Sequence, residues 1–135
     1  MTIEEVYNAL DAYIHVQWGT TTDIQKENYP FDTETTTPYI YPEFSPDTVA
    51  EGEIAGSNSS GISIRYGIYA INIYRPRNEG LATAYSYAST IETLFYYKDI
   101  KGVMTERPHT ERLGDEGNFY RLIVYVPWWA WVNET

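Results

Sequence analysis

The chain has no cysteine among its 135 residues. That excludes disulfides, thiolate metal sites and a cysteine nucleophile, and leaves the compartment open. Histidine is nearly as scarce, with two residues, and a lone His15 beside a helical stripe reads as a packed or surface residue. Basic residues are few: 9 Lys and Arg stand against 19 acids, for a formal net charge of −10. None occurs between Lys26 and Arg65, whereas Glu27, Asp32, Glu34, Glu43, Asp47, Glu51 and Glu53 all fall there. Such a surface repels phosphate chains, because nucleic-acid affinity depends on Lys and Arg displacing counterions. Long apolar runs are also missing; none approaches the ~20 residues that span a bilayer. Glu4 and Glu5 stand where a secretory leader would be positive, so no leader and no membrane partner are expected.

Aromatic residues are abundant, with 14 Tyr, 4 Trp and 4 Phe. Disordered chains are poor in these side chains, so a folded core is expected. The length suits a single domain over 1–135. The acidic surplus then serves to keep an aromatic-rich protein in solution.

The best-defined unit runs from Gly61 to Tyr97. It starts as a β-rich run, GISIRYGIYAINIYRP, stops at Arg75-Pro76-Arg77-Asn78, and restarts as a helix. Ile62, Ile64, Tyr66 and Ile68 share one strand parity, while Tyr69, Ile71 and Ile73 share the other. That change implies a bulge or bend near Gly67, or else two partly covered faces. The helix carries Leu81, Ala84, Tyr85, Ala88, Ile91, Leu94 and Phe95 on one side, a stripe that core packing explains without a cofactor.

An earlier helix is announced by Thr2-Ile3-Glu4-Glu5, which fits a capping box. Ile3, Val6, Tyr7, Leu10, Ile14 and Trp18 continue it toward Gly19. Residues 23–27 make a short strand candidate. Residues 37–44 make an outer one, since Pro38 and Pro42 cannot donate to a ladder, and Ser45-Pro46-Asp47 is expected to end it. Gly52, Gly56, Ser57, Asn58, Ser59, Ser60 and Gly61 mark a mobile loop or hairpin tip, read either as an idle surface loop or as an arm that orders on a partner. Residues 102–106 make another strand candidate, and 112–118 carry turn residues.

The last strand, residues 119–132, is apolar on both parities. Helices can cover one face; the other needs a second subunit unless the strand is buried within its own monomer. Trp128, Trp129, Trp131 and Tyr125, with Arg65 and Tyr66, are the candidate interface residues. Helix, strands, helix and strands in this order predict an α+β fold: a mainly antiparallel sheet with both helices on one face.

In order and spacing, most of the chain resembles the small tail terminator proteins of long-tailed bacteriophages. The pieces are an N-terminal helix, Tyr29-Pro30-Phe31, Thr37-Pro38-Tyr39-Ile40, Arg65-Tyr66-Gly67, Tyr69 to Pro76, Asn78-Glu79-Gly80 before an Ala-rich helix, and Tyr120 to Trp128. The resemblance implies a structural virion protein that assembles as a homo-oligomeric ring, of six copies, on the head-proximal end of the tail tube. Such a ring stops tube polymerisation and offers a surface to head-completion or neck proteins, after assembly in the host cytoplasm. A head–tail joining protein of similar fold fits the same pieces. Asp32, Glu34, Glu43, Asp47, Glu51 and Glu53 would then suit a lumen through which DNA slides without sticking.

Two other classes stand beside this reading. Paired carboxylates could serve a glycosidase, but 19 acids produce such pairs by chance and no nucleophile or metal spacing marks a site. No enzyme activity and no cofactor are expected. An aromatic-rich carbohydrate-binding module, stacking sugars on Trp128, Trp129 or Trp131, is the alternative from another class.

Overall fold

The computed structural model describes residues 1–28, 37–50 and 62–133, with the main chain alone at 47–50 and 62. Helix α1, Ile3–Trp18, starts as its sequence predicts. Thr2 accepts from the Glu5 N–H while the Glu5 side chain accepts from the Thr2 N–H, so two otherwise orphaned donors are satisfied. Its buried stripe is Val6, Ala9, Leu10, Ile14 and Trp18, and Gly19 closes it at φ 60, a conformation without penalty for glycine. Helix α2, Ala82–Phe95, buries Ala84, Ala88, Ile91 and Phe95. Tyr85, expected on that stripe, is 41% exposed.

The strands are β1 (Asp23–Ile24), β2 (Tyr39–Ala50), β3 (Ile62–Pro76), β4 (Asp99–Ile100), β5 (Val103–Thr105), β6 (His109–Glu116) and β7 (Phe119–Asn133). They form one sheet in the order β1-β2-β3-β7-β5-β4, with β6 pairing β7 as well. All described pairings are antiparallel except β1 with β2. The fold is therefore α+β, with a mainly antiparallel sheet.

Strands β3 and β7 pair over their whole lengths, from Ile62↔Asn133 to Pro76↔Phe119. Tyr69, Ile71 and Ile73 of β3 and Leu122, Val124, Val126, Trp128, Ala130 and Val132 of β7 join one cluster with the buried stripes of both helices. Both helices thus share a single sheet face. Tyr13 meets Phe95 edge-on at 5.2 Å and Trp18 meets Tyr87 at 5.3 Å, so the helices also lock to each other.

The irregularity expected near Gly67 lies on the neighbouring strand. Pairing of β3 with β7 runs through Gly67↔Trp128 without a shift, whereas β2 shifts register between Ser45 and Thr48. Ser45-Pro46-Asp47 therefore does not end β2; the bulge absorbs it. Gly67 has a different job. A Cβ there would lie 2.5 Å from Trp128 Cζ2 and closer still to the Ser45 carbonyl oxygen, so only glycine leaves room for the indole this close to the strand.

Strand β6 also departs from expectation, because only Gly117-Asn118 forms the turn and residues 109–116 pair with β7 except at the bulged Leu113. The second edge of β7 is consequently shared: Phe119 to Tyr125 pairs with β6, and Trp128 and Trp129 pair with β5. Pro127 sits at the seam between them. It has no N–H to leave unpaired, and its carbonyl accepts from Glu106 N–H at 2.9 Å.

Candidate assembly surface

Side chains alternate along a strand, so the face away from the helices is drawn from the other parity. Strand β3 contributes Ile64, Tyr66, Ile68, Ala70, Asn72 and Tyr74; β7 contributes Phe119, Arg121, Ile123, Tyr125, Pro127, Trp129 and Trp131. Tyr66 is 40% exposed and Trp131 43%, while Ile64, Ile68, Tyr125 and Trp129 are half-buried. Trp129 and Trp131 meet edge-on, 6.2 Å apart at 89°. Tyr125 lies against His109 at 5.0 Å. This half of the face is an apolar, aromatic patch on the side opposite both helices.

The other half is closed by its own contacts. Tyr39 and Tyr74 stack at 4.4 Å, and Phe119 meets both edge-on. Beside them Asn72, fully buried, donates from Nδ2 to Glu43 Oε1 at 2.6 Å and to the Tyr41 carbonyl at 2.9 Å. Its Oδ1 accepts from Arg121 Nε at 3.1 Å and Nη2 at 2.5 Å. Arg121 also lies 5.5 Å from the Tyr74 ring centroid and 3.7 Å from Glu116. Burial pushes the Tyr74 phenol above its ordinary range, with Arg121 opposing and Glu116 adding to the rise. An open cleft of about 540 Å³ beside this cluster is lined by Gln25, Tyr39, Tyr41, Tyr74, Glu116 and Phe119, among others.

Both polar atoms of the Asn72 side chain are engaged, by Tyr41, Glu43 and Arg121, so the network ties β2, β3 and β7 together. Among the described residues no cluster of His, Asp and Glu could hold a metal ion, and no helix is long and apolar enough to cross a membrane.

The interface residues named from sequence divide between the two faces. Tyr66, Tyr125, Trp129 and Trp131 come together on the aromatic patch. Trp128 does not: it is 1% exposed, stacks on Phe44 at 5.5 Å and belongs to the core. Arg65 also has the helix-side parity, opposite Ala130, and its Nη2 donates to the Pro46 carbonyl at 3.0 Å. Adjacent residues of a strand cannot share a face, and parity alone left open which face the helices would take. Of the six acids, Glu43 is bound to Asn72, and Asp47 lies in β2 with only its main chain described. Asp32, Glu34, Glu51 and Glu53 lie outside the described residues, as does the whole loop of Gly52, Gly56, Ser57, Asn58, Ser59, Ser60 and Gly61.

The Asn72–Arg121 pair was not anticipated. Its signal was present: Asn72 interrupts Ile71 and Ile73, and Arg121 interrupts an apolar run. Two polar residues on the second face of paired central strands are candidates for each other.

A family model described as phage tail terminator protein matches residues 5–128. No curated protein matches the sequence. Fourteen chains of solved structures match. One of them has a TM-score of 0.63 and 12% identity, with 92% of this chain and 94% of that chain covered. At that identity the likeness concerns the fold alone.

Proposed function

The chain belongs to the phage tail terminator proteins, a family of structural tail components, and from that premise we propose that it caps the head-proximal end of the tail tube as a ring of six copies. In this reading the ring stops tube polymerisation and presents a joining surface to the head-completion or neck protein. DNA passes through the hole without specific binding, and the acids at 32, 34, 47, 51 and 53 face that hole. The loop at 52–61 reaches the tube or the neck.

The observation that supports the reading best is the aromatic patch. Tyr66, Trp129 and Trp131 form an apolar area on the sheet face that the helices leave uncovered, and such areas mark association surfaces. Trp and Tyr are enriched where subunits meet. The perpendicular setting of Trp129 and Trp131 disfavours the carbohydrate alternative, since two edge-on rings give no flat stacking platform, and Trp128 is buried beneath the opposite face.

Mass in solution together with negative-stain electron microscopy tests the proposal. The wild-type chain is expected to form rings with a central hole. The double variant Trp129→Ala/Trp131→Ala should fold and lose the rings. Trp128→Ala should instead lower the melting temperature, because truncating a buried aromatic costs about 3–5 kcal/mol. A wild-type chain that stays monomeric, or a double variant that keeps intact rings, overturns the proposed use of this face.

A further inference from the structure

The two sides of the sheet are finished differently. On the β2 side, the Ile40 carbonyl accepts from Gln25 N–H at 2.8 Å and Phe44 N–H donates to Glu27 Oε1 at 2.7 Å. Ile40 and Phe44 therefore turn their main-chain groups outward, and by the period of a strand so does Pro42, which has no N–H to offer. Pairing, a proline and a captured donor close this edge from Ile40 to Phe44.

Strand β6 has no such finish. The Pro127 carbonyl accepts from Glu106, so it faces the β5–β6 side of β7. Tyr125 and Ile123 share its parity and turn their main-chain groups to the same side. His109 and Glu111, which pair with Tyr125 and Ile123, spend their N–H and C=O groups on β7, and those of Thr110 and Arg112 point away. Among the described residues no main-chain bond reaches Thr110 or Arg112 from any other element. Pro108 precedes the run and none interrupts it. The run ends at the bulge between Arg112 and Gly114, where Leu113 stands 43% exposed.

We propose that the outer edge of β6 is a binding site for an extended segment of another protein, one that carries basic side chains and adds as a strand against Thr110 and Arg112. Strand addition takes its affinity from main-chain bonds and its selectivity from the flanking side chains. Here those are acidic. Glu111 is exposed and Glu92 of α2 is hydrogen-bonded to Thr110. Asp115 and Glu116, exposed beyond the bulge, add to them, although Asp115 also lies 3.5 Å from Arg77 and Glu116 3.7 Å from Arg121. Arg112, the base of this strand, is held over the Tyr120 ring at 5.5 Å. A second copy of a chain with net charge −10 is a poor match for this edge; a Lys- or Arg-bearing strand is a good one. Leu113 supplies an apolar contact at the end of the run.

The test needs no ring and so stands apart from the capping proposal. The probe is an eight-residue peptide of alternating lysine and threonine, with its glutamate–threonine counterpart as control. Amide hydrogen exchange on the wild-type chain should show Thr110 and Arg112 slowed at least tenfold by the lysine peptide and unchanged by the glutamate one. Arg112→Pro removes the outward donor and should weaken peptide binding at least tenfold, while Arg112→Ala, which keeps the N–H, should change it less than threefold. The exchange measurement requires no variant, so it decides even where Arg112→Pro fails to fold. Unchanged exchange with the lysine peptide, equal binding of both peptides, or protection that follows protein concentration instead of peptide would each overturn the proposal; the last would assign the edge to a second copy.

Discussion

Gly67→Ala probes the closest approach at any glycine among the described residues. The added methyl would lie 2.5 Å from Trp128 Cζ2 and 2.7 Å from Cε2, and nearer still to the Ser45 carbonyl. Carbon atoms in contact sit about 3.5–4.0 Å apart, so the ring or the strand must give by roughly an ångström. Trp128 has little room to yield, being 1% exposed and stacked on Phe44. Overpacking of a filled core costs about 1–3 kcal/mol. At roughly 4 °C per kcal/mol for a domain of this size, the melting temperature should fall by about 4–12 °C. Scanning calorimetry on Gly67→Ala, Trp128→Leu and the double variant gives the decisive comparison. Removing the indole lifts one clash and leaves the carbonyl one, so the coupling should favour the double variant by about 1 kcal/mol. A neutral Gly67→Ala, or strictly additive variants, would refute the close approach.

Asn72→Ala should lower stability by about 3 kcal/mol in urea unfolding, because Arg121 and Glu43 lose the buried partner that joins them; a loss below about 0.5 kcal/mol would mean that water replaces it. The chain should also unfold at alkaline pH. Burial raises the phenol of Tyr69 well above its ordinary value and that of Tyr74 above it as well, so above about pH 10 the unfolded chain releases protons that the folded one retains, and stability falls as pH rises. Tyr74→Phe should make that decline shallower in a pH series of thermal melts, and an unchanged slope would contradict the assignment.

Both helices, β3 and β7 were legible because each carries a period that physics imposes: the capping box of α1, the stripe of α2, the paired apolar parities of the two central strands. Strand β6 was not. HTERLGDE has no apolar alternation, since an edge strand with most of its side chains in solvent has nothing to alternate against. The bulge expected near Gly67 lies beside it but on β2, for a related reason. Gly67 marks it in sequence, yet the displaced residues belong to the strand beside it, across a contact that only the fold creates. Trp128 stands among the interface candidates because β7 is apolar on both sides, and the choice of side depends on where α1 and α2 land. The aromatic patch was half visible: its members were named, but with one core tryptophan and one helix-side arginine among them.

Pro127 has a consequence for how the chain reaches this structure. It divides β7 into a segment whose partner β6 lies just across the Gly117-Asn118 turn and a segment served by β5, on the far side of β6 in the chain. Closing the first costs little loop entropy, whereas pairing β7 with β3 must enclose the whole of α2. The β6–β7 hairpin is thus a local nucleus that can zip from Phe119 as far as Tyr125 before any long-range contact exists. The β6 ladder ends at His109↔Tyr125, two residues short of Pro127, and zipping should halt there. What halts it also leaves the remainder of the strand, with the three tryptophans, waiting for β3 and β5. By loop closure the most aromatic part of the chain should then be covered late, and the half of it that faces away from the helices stays available for a neighbour.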